Sequence, residues 1–212
     1  AMRPLLDALR SGRLTPHGDA NLGLADGLGG AIYTLLRLRD LVPANEADEH
    51  ASLALRAAGL ATRHATGTDD VLDVLGGNAG LVLALLSLFR ATGDADVLRR
   101  ARWSGDDLVR RCAERLDPRV HESDPPLLTG FSHGAAGIAL ALHSLAVETG
   151  ESSYMDAALG AVEYEARCYV AEAGNRMDLR WGTTAGDPPR FQTSWCHGAP
   201  GLALARLAML SE

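Results

Sequence analysis

The chain has 212 residues, 47% of them apolar and 22% charged, which is the balance of a folded globular domain long enough to bury a core. A formal charge of −7 argues against a nucleic-acid surface. The apolar runs, such as Leu81-Val82-Leu83-Ala84-Leu85-Leu86, fall far short of the roughly 18 residues of a membrane span. Three Cys without close pairing speak against a disulfide framework and fit a reducing cytoplasm. No secretory apolar region opens the chain, and Ala1 ahead of Met2 reads as an added residue. Residues 1–212 are read as one domain.

Along the chain one phrase returns four times: Asp26-Gly27-Leu28-Gly29-Gly30, Gly76-Gly77-Asn78-Ala79-Gly80, His133-Gly134-Ala135-Ala136-Gly137 and His197-Gly198-Ala199-Pro200-Gly201. The final glycines lie 50, 57 and 64 residues apart. After the first phrase, 31–41 predicts a helix that is apolar almost all round, with Pro43 as its stop. Residues 46–63 then predict an Ala-rich amphipathic helix. After the second phrase, 81–89 predicts another all-round apolar helix, stopped at Gly93, and 96–116 an amphipathic one carrying Val97, Ala101, Leu108, Cys112 and Leu116 on its stripe. The third phrase opens 138–147, stopped at Gly150, and 153–171 follows with Met155, Leu159, Val162 and Tyr169. Residues 174–194 have no periodicity, a length that in compact domains marks a functional or mobile loop. The fourth phrase leads into a last apolar stretch.

The repeating unit is therefore a buried inner helix of roughly 20 Å followed by an amphipathic outer helix. No alternating Val/Ile/Thr runs appear, so the fold class is all-α. Stacked hairpins of this kind form a solenoid or a closed α/α toroid. Each glycine phrase precedes an inner helix, so parallel inner helices would crowd all four turns at one end. That favours the toroid, here a partial ring of about four repeats.

The turns also carry the chemistry-bearing side chains. Four residues before the final glycines come Asp26, Gly76, His133 and His197, with Trp195, Cys196 and Asp73 close by. A carboxylate, two imidazoles and a thiol are thus expected at one end of the array, near helix N-termini where amide N–H groups favour an anion and a thiolate. Thiolate and imidazole are also zinc ligands. Simpler roles stand beside these. Asp73 and Asp26 could be helix caps, His133 a capping or core imidazole, and Cys196 a small packed residue. Cys112 and Cys168 read as core. His17, His50, His64, His121 and His143 read as solvated, and Arg180-Trp181 as surface.

Gly130-Phe-Ser-His133-Gly-Ala-Ala-Gly137-Ile-Ala and Ser194-Trp-Cys196-His-Gly-Ala-Pro-Gly201 together resemble the lanthionine synthetase C-like family, most closely the cyclase domain of class II lanthipeptide synthetases. Asp73-Val-Leu-Gly-Gly-Asn-Ala-Gly80, Tyr164-Glu165, Gly174-Asn175 and Asp178-Leu179-Arg180 add to the resemblance, which runs over roughly 22–210. It implies an α/α toroid of seven inner and seven outer helices. It also implies an enzyme acting on a precursor peptide. Zinc binds a peptide cysteine as thiolate, and the thiolate adds to dehydroalanine or dehydrobutyrine to close a thioether ring. By resemblance Cys196 is a zinc ligand, His133 the acid/base for the enolate proton, and Asp73 the group that orients it. His197 stands beside the metal with a proton role.

One departure qualifies the resemblance. The family takes its other two zinc ligands from a later Cys-His-Gly phrase, and this chain has no second Cys-His pair. With four glycine turns it reads as a fragment of a cyclase that holds little zinc and is inactive alone. The alternative is a peptide-binding or regulatory module derived from the fold. A toroidal glycoside hydrolase is a weaker third reading, because it needs paired acids where only Asp73 and Asp26 are on offer. An arc also leaves its end helices without neighbours, so self-association through open apolar edges is expected.

Overall fold

The computed structural model describes residues 21–25, 27–116, 127–176 and 191–211, together with Asp7 and Ser11. The elements in order are α1 (Leu28–Arg39), α2 (Ala44–Ala58), α3 (Arg63–Thr68), α4 (Asn78–Thr92), α5 (Ala95–Arg115), α6 (Ala135–Thr149) and α7 (Ser152–Arg167). A small hairpin follows, β1 (Tyr169–Val170) and β2 (Asn175–Arg176), and then α8 (Ala199–Ser211). The fold is all-α apart from that hairpin among the described residues.

Helices α1, α4, α6 and α8 lie side by side in that order, and α2, α5 and α7 each back the inner helix that precedes them. Ile32, Leu35, Leu81, Leu85, Ile138 and Leu142 are buried between the two layers, where Leu108 and Tyr154 meet them from outside. Burying each of these large side chains contributes about 2 kcal/mol. Tyr154 also donates its hydroxyl to Asp106 at 2.8 Å, tying α7 to α5.

The glycine phrase has a physical explanation. The first three turns double back so that their own carbonyls accept the first N–H groups of the helices they open. Leu28, Asn78 and Ala135 donate to Asn21, Val71 and Leu128 at 2.9, 3.1 and 2.7 Å. The backbone passes so close that a Cβ on Gly77, Gly134 or Gly198 would overlap the carbonyl of Val71, Leu128 or Gln192. A Cβ on Gly80, Gly137 or Gly201 would overlap that of Val74, Phe131 or Trp195. Glycine is needed twice in each turn, three residues apart, because two carbonyls approach there.

Successive turns are also bonded to one another. Leu24 and Ala25 donate to Val74 and Leu75, each at 3.0 Å. Val74 and Leu75 donate to Ser132 at 3.1 and 3.2 Å, and Ser132 donates to Cys196 at 3.1 Å. The four turns therefore form one backbone-bonded floor, as their shared register predicted.

Several boundaries differ from the sequence reading. The inner helices start three residues earlier than 31, 81 and 138, because the looped-back carbonyls support a helical turn before the apolar run begins. Gly93 and Gly150 do end α4 and α6, at φ 68° and 72°. Pro43 has the other role: its carbonyl accepts from Glu46 and Ala47, so it starts α2 rather than stopping α1. The 46–63 helix breaks at Gly59 and resumes as α3, capped by Thr62, whose hydroxyl accepts from Ala65. The 153–171 helix stops at Arg167, and Gly174 at φ 60° reverses the chain into the hairpin. Residues 177–190 of the 174–194 loop, Arg180 and Trp181 included, lie outside the described residues, as does Asp26.

Candidate functional site

Asp73 stands on the second turn and His133 on the third, 60 residues apart in sequence. Stacking of the turns brings Asp73 Oδ2 within 2.9 Å of His133 Nδ1. A carboxylate only accepts, so Nδ1 carries the hydrogen and Nε2 is left as the working nitrogen. The other oxygen, Oδ1, accepts the Gly76 N–H at 2.6 Å. Both oxygens are therefore committed, and the carboxylate cannot swing away from the ring. The capping reading of Asp73 holds only for its own turn. The residue before α4 is Gly77, and it makes no side-chain cap bond.

His197, on the fourth turn at the register of His133, stacks on it with centroids 5.0 Å apart and planes 17° from parallel. His197 is buried, while His133 keeps part of its surface open. The result is a carboxylate-braced imidazole with a second imidazole along its face. It is built from three turns and rests on the backbone ladder beneath them. Phe131 and Trp195 meet in a tilted pair at 6.1 Å beside it.

Cys196 is half-buried on the same turn as His197, and its thiol donates to Ser194 Oγ at 3.2 Å. Zinc, which the resemblance implies, asks for three protein ligands in a catalytic site. Among the described residues no group of three or more His, Cys, Asp or Glu is placed to hold a metal ion. Cys112 and Cys168 are buried in the core, as read, and burial pushes the Cys112 thiol up to about 12. The described side chains thus fit an acid/base centre and do not fit a complete zinc site.

The helix ends also differ from expectation. At α1, α4 and α6 the first N–H groups are already donated to the turns, so they are not open to an anion or a thiolate. His50 is another correction. It is buried, with Nδ1 2.8 Å from the Glu46 carbonyl, rather than solvated. His64 is exposed and His143 half-buried, while His17 and His121 lie outside the described residues.

Two polar clusters carry no role in the sequence reading. Buried Asn78 and Asp107 join α4 to α5, with Arg111 reaching from Asp107 to Asp70. Asp69 lies in the field of this cluster, and burial raises its carboxyl from 3.8 to about 6. The second cluster joins Glu165 to Arg206 at 2.5 Å. Its signal was legible. Arg206 lies five residues after its glycine, where the other three repeats carry Leu35, Leu85 and Leu142.

With this geometry in place, the comparison with protein families is decisive. The family model for lanthionine synthetase C-like proteins matches residues 44–212. The chain belongs to the lanthionine synthetase C-like family. No curated protein matches it. The match takes in three of the four glycine turns and every residue of the Asp73–His133–His197 centre. The lanthionine synthetase C-like fold is a helical toroid, and the four stacked inner helices with their outer layer follow that plan. No described helix is long and apolar enough to cross a membrane.

Proposed function

We propose that the chain is a fragment of a lanthionine cyclase acting on a dehydrated precursor peptide in the cytoplasm, and that it supplies the proton-handling half of the centre. The single observation behind this is the Asp73–His133 hydrogen bond at 2.9 Å with His197 stacked on the same ring. A peptide cysteine sulfur bonds to the β-carbon of dehydroalanine or dehydrobutyrine, and the electron pair of the double bond moves to the α-carbon as an enolate. Asp73 holds His133 in one tautomer, so Nε2 can carry a proton to that carbon. His197 limits how the ring can turn. Nε2, bare in that tautomer, takes up the proton that the sulfur loses and passes it to the α-carbon, so the product has the mass of the reactant. General acid–base help of this kind contributes about 10²- to 10⁴-fold.

The zinc dependence that belongs to this reading requires Cys196 plus two ligands from outside the described residues. The test joins the chain to a repeat carrying a Cys-His-Gly phrase and follows loss of the peptide thiol by alkylation. We expect the fusion with zinc to consume the thiol and the chain alone to be silent. His133→Ala and Asp73→Asn in the fusion should each slow consumption by about 10²-fold or more. Full activity of the fusion with His133→Ala would overturn the assignment. Full activity of the chain alone would overturn the fragment reading.

A second reading is a module of this fold that binds the peptide without reacting it. A fusion that binds peptide tightly but never consumes its thiol would favour that reading.

A further inference from the structure

Glu165 is only 1% exposed, and the acid/base reading gives it no part. A buried carboxylate is costly unless it is paired and hydrogen-bonded. Its partner Arg206 occupies the register at which α1, α4 and α6 bury Leu35, Leu85 and Leu142. Three repeats thus fill this place with a leucine, and the fourth fills it with one end of an ion pair. A leucine contact is non-directional and lets helices settle by packing alone. A guanidinium–carboxylate pair at 2.5 Å fixes distance and orientation as well.

The neighbouring residue makes a second such link. Tyr164 is buried and donates its hydroxyl to the Leu127 carbonyl at 2.5 Å. Leu127 immediately precedes the turn that ends in His133. Arg206 stands on α8, the helix opened by the turn that carries His197. Consecutive residues of α7 therefore bond the segment that leads into the His133 turn and the helix that the His197 turn opens. Resting on the reading of Asp73–His133–His197 as the acid/base centre, we propose that Tyr164 and Glu165 are positioning residues for it. The tyrosine holds the His133 turn, and the glutamate, through Arg206, holds the His197 turn against it.

The turns are also joined by the Ser132-to-Cys196 backbone bond, so losing the ion pair should leave them adjacent but not aligned. The proposal therefore concerns the ring geometry and not only stability. The test compares Glu165→Gln with the double variant Glu165→Leu, Arg206→Leu, which restores the leucine of the other repeats. Two quantities are read on the whole chain: the thermal midpoint, and the NMR signals of the His133 and His197 imidazoles, which carry the ring-current shift of the stack. We expect the double variant to keep its midpoint within a few degrees while the ring-current shift is lost. Glu165→Gln should weaken that shift. An unchanged ring-current shift in a folded double variant would overturn the proposal and make the pair a space-filling substitute for leucine. If the double variant does not fold, Glu165→Gln decides alone, and unchanged imidazole signals there overturn the proposal. The readout needs no turnover, so a failure of the cyclase reading leaves it intact and recognisable as a separate result.

Discussion

Helices α6 and α8 open with nearly the same words, His133-Gly-Ala-Ala-Gly137 and His197-Gly-Ala-Pro-Gly201, and both continue as leucine-rich stretches. Their surroundings differ. Leu140 on α6 is 9% exposed because Leu202 and Ala205 of α8 cover it. Leu204, at the same register on α8, is 56% exposed, and Leu207 and Leu210 are 63% and 85% exposed. Trp195 is also exposed, whereas the side chains at its register, Val74 and Phe131, lie against Gly137 and Gly201 of the next helix. The lesson is that an inner helix is apolar all round because it has a neighbour on each side. Where no such neighbour is among the described residues, the same pattern becomes an exposed apolar strip. The turns behave otherwise: the carbonyl nearest to a Cβ on Gly137 or Gly201 belongs to that glycine's own turn, with the preceding turn's Val74 or Phe131 adding a second contact.

The largest expected effect tests that last point. Gly137→Ala places a methyl on the Phe131 carbonyl and Gly201→Ala places one on the Trp195 carbonyl. Both should cost above about 4 kcal/mol and prevent folding, as judged by circular dichroism. A well-folded Gly201→Ala would mean the edge turn can relax where the interior turn cannot. The next test separates the helices themselves. Leu140→Ala should destabilise by about 3 kcal/mol and Leu204→Ala by less than about 0.5 kcal/mol in urea unfolding. Equal losses would show that the α8 strip is covered in solution.

Association sharpens the same comparison. The strip of Trp195, Leu204, Leu207 and Leu210 continues the surface on which α6 receives α8, so a second copy is the expected occupant. Sedimentation at low micromolar concentration should find a dimer, and Leu207→Glu should weaken it at least about tenfold. A parent chain that stays monomeric under those conditions would refute this. The smallest effect lies on the outer layer. Gly160 is inside α7 with nothing near its would-be Cβ, so Gly160→Ala should stabilise by about 1 kcal/mol. A loss there would mean that glycine outside the turns is also needed for close approach.

Much of this was legible before any coordinates. The glycine spacing located the inner helices, the stripe of Val97, Ala101, Leu108 and Cys112 located an outer one, and the shared register placed Asp73 and His133 at one end. Helix starts were read three residues late, because looped-back carbonyls leave no mark on hydrophobic periodicity. His50 was misread, since a histidine on an Ala-rich helix looks the same whether it faces water or a carbonyl. Tyr164 and Glu165 were visible as a phrase, yet their partners Leu127 and Arg206 lie 37 and 41 residues away.

The sequence by itself determined the repeating unit, its two helix types and the side chains each turn carries, because periodicity and backbone sterics act over a few residues. Only the tertiary structure decided which oxygen of Asp73 meets His133 and that the two imidazoles stack. It also decided that the helix N–H groups are spent on their own turns, and that one of four equivalent core positions is an ion pair. The N–H bonds close over seven residues, through carbonyls that leave no mark on hydrophobic periodicity; the others depend on distances between turns fifty or more residues apart in the chain, or between helices of different layers. Those distances are set by how neighbouring repeats pack, and no local pattern encodes that.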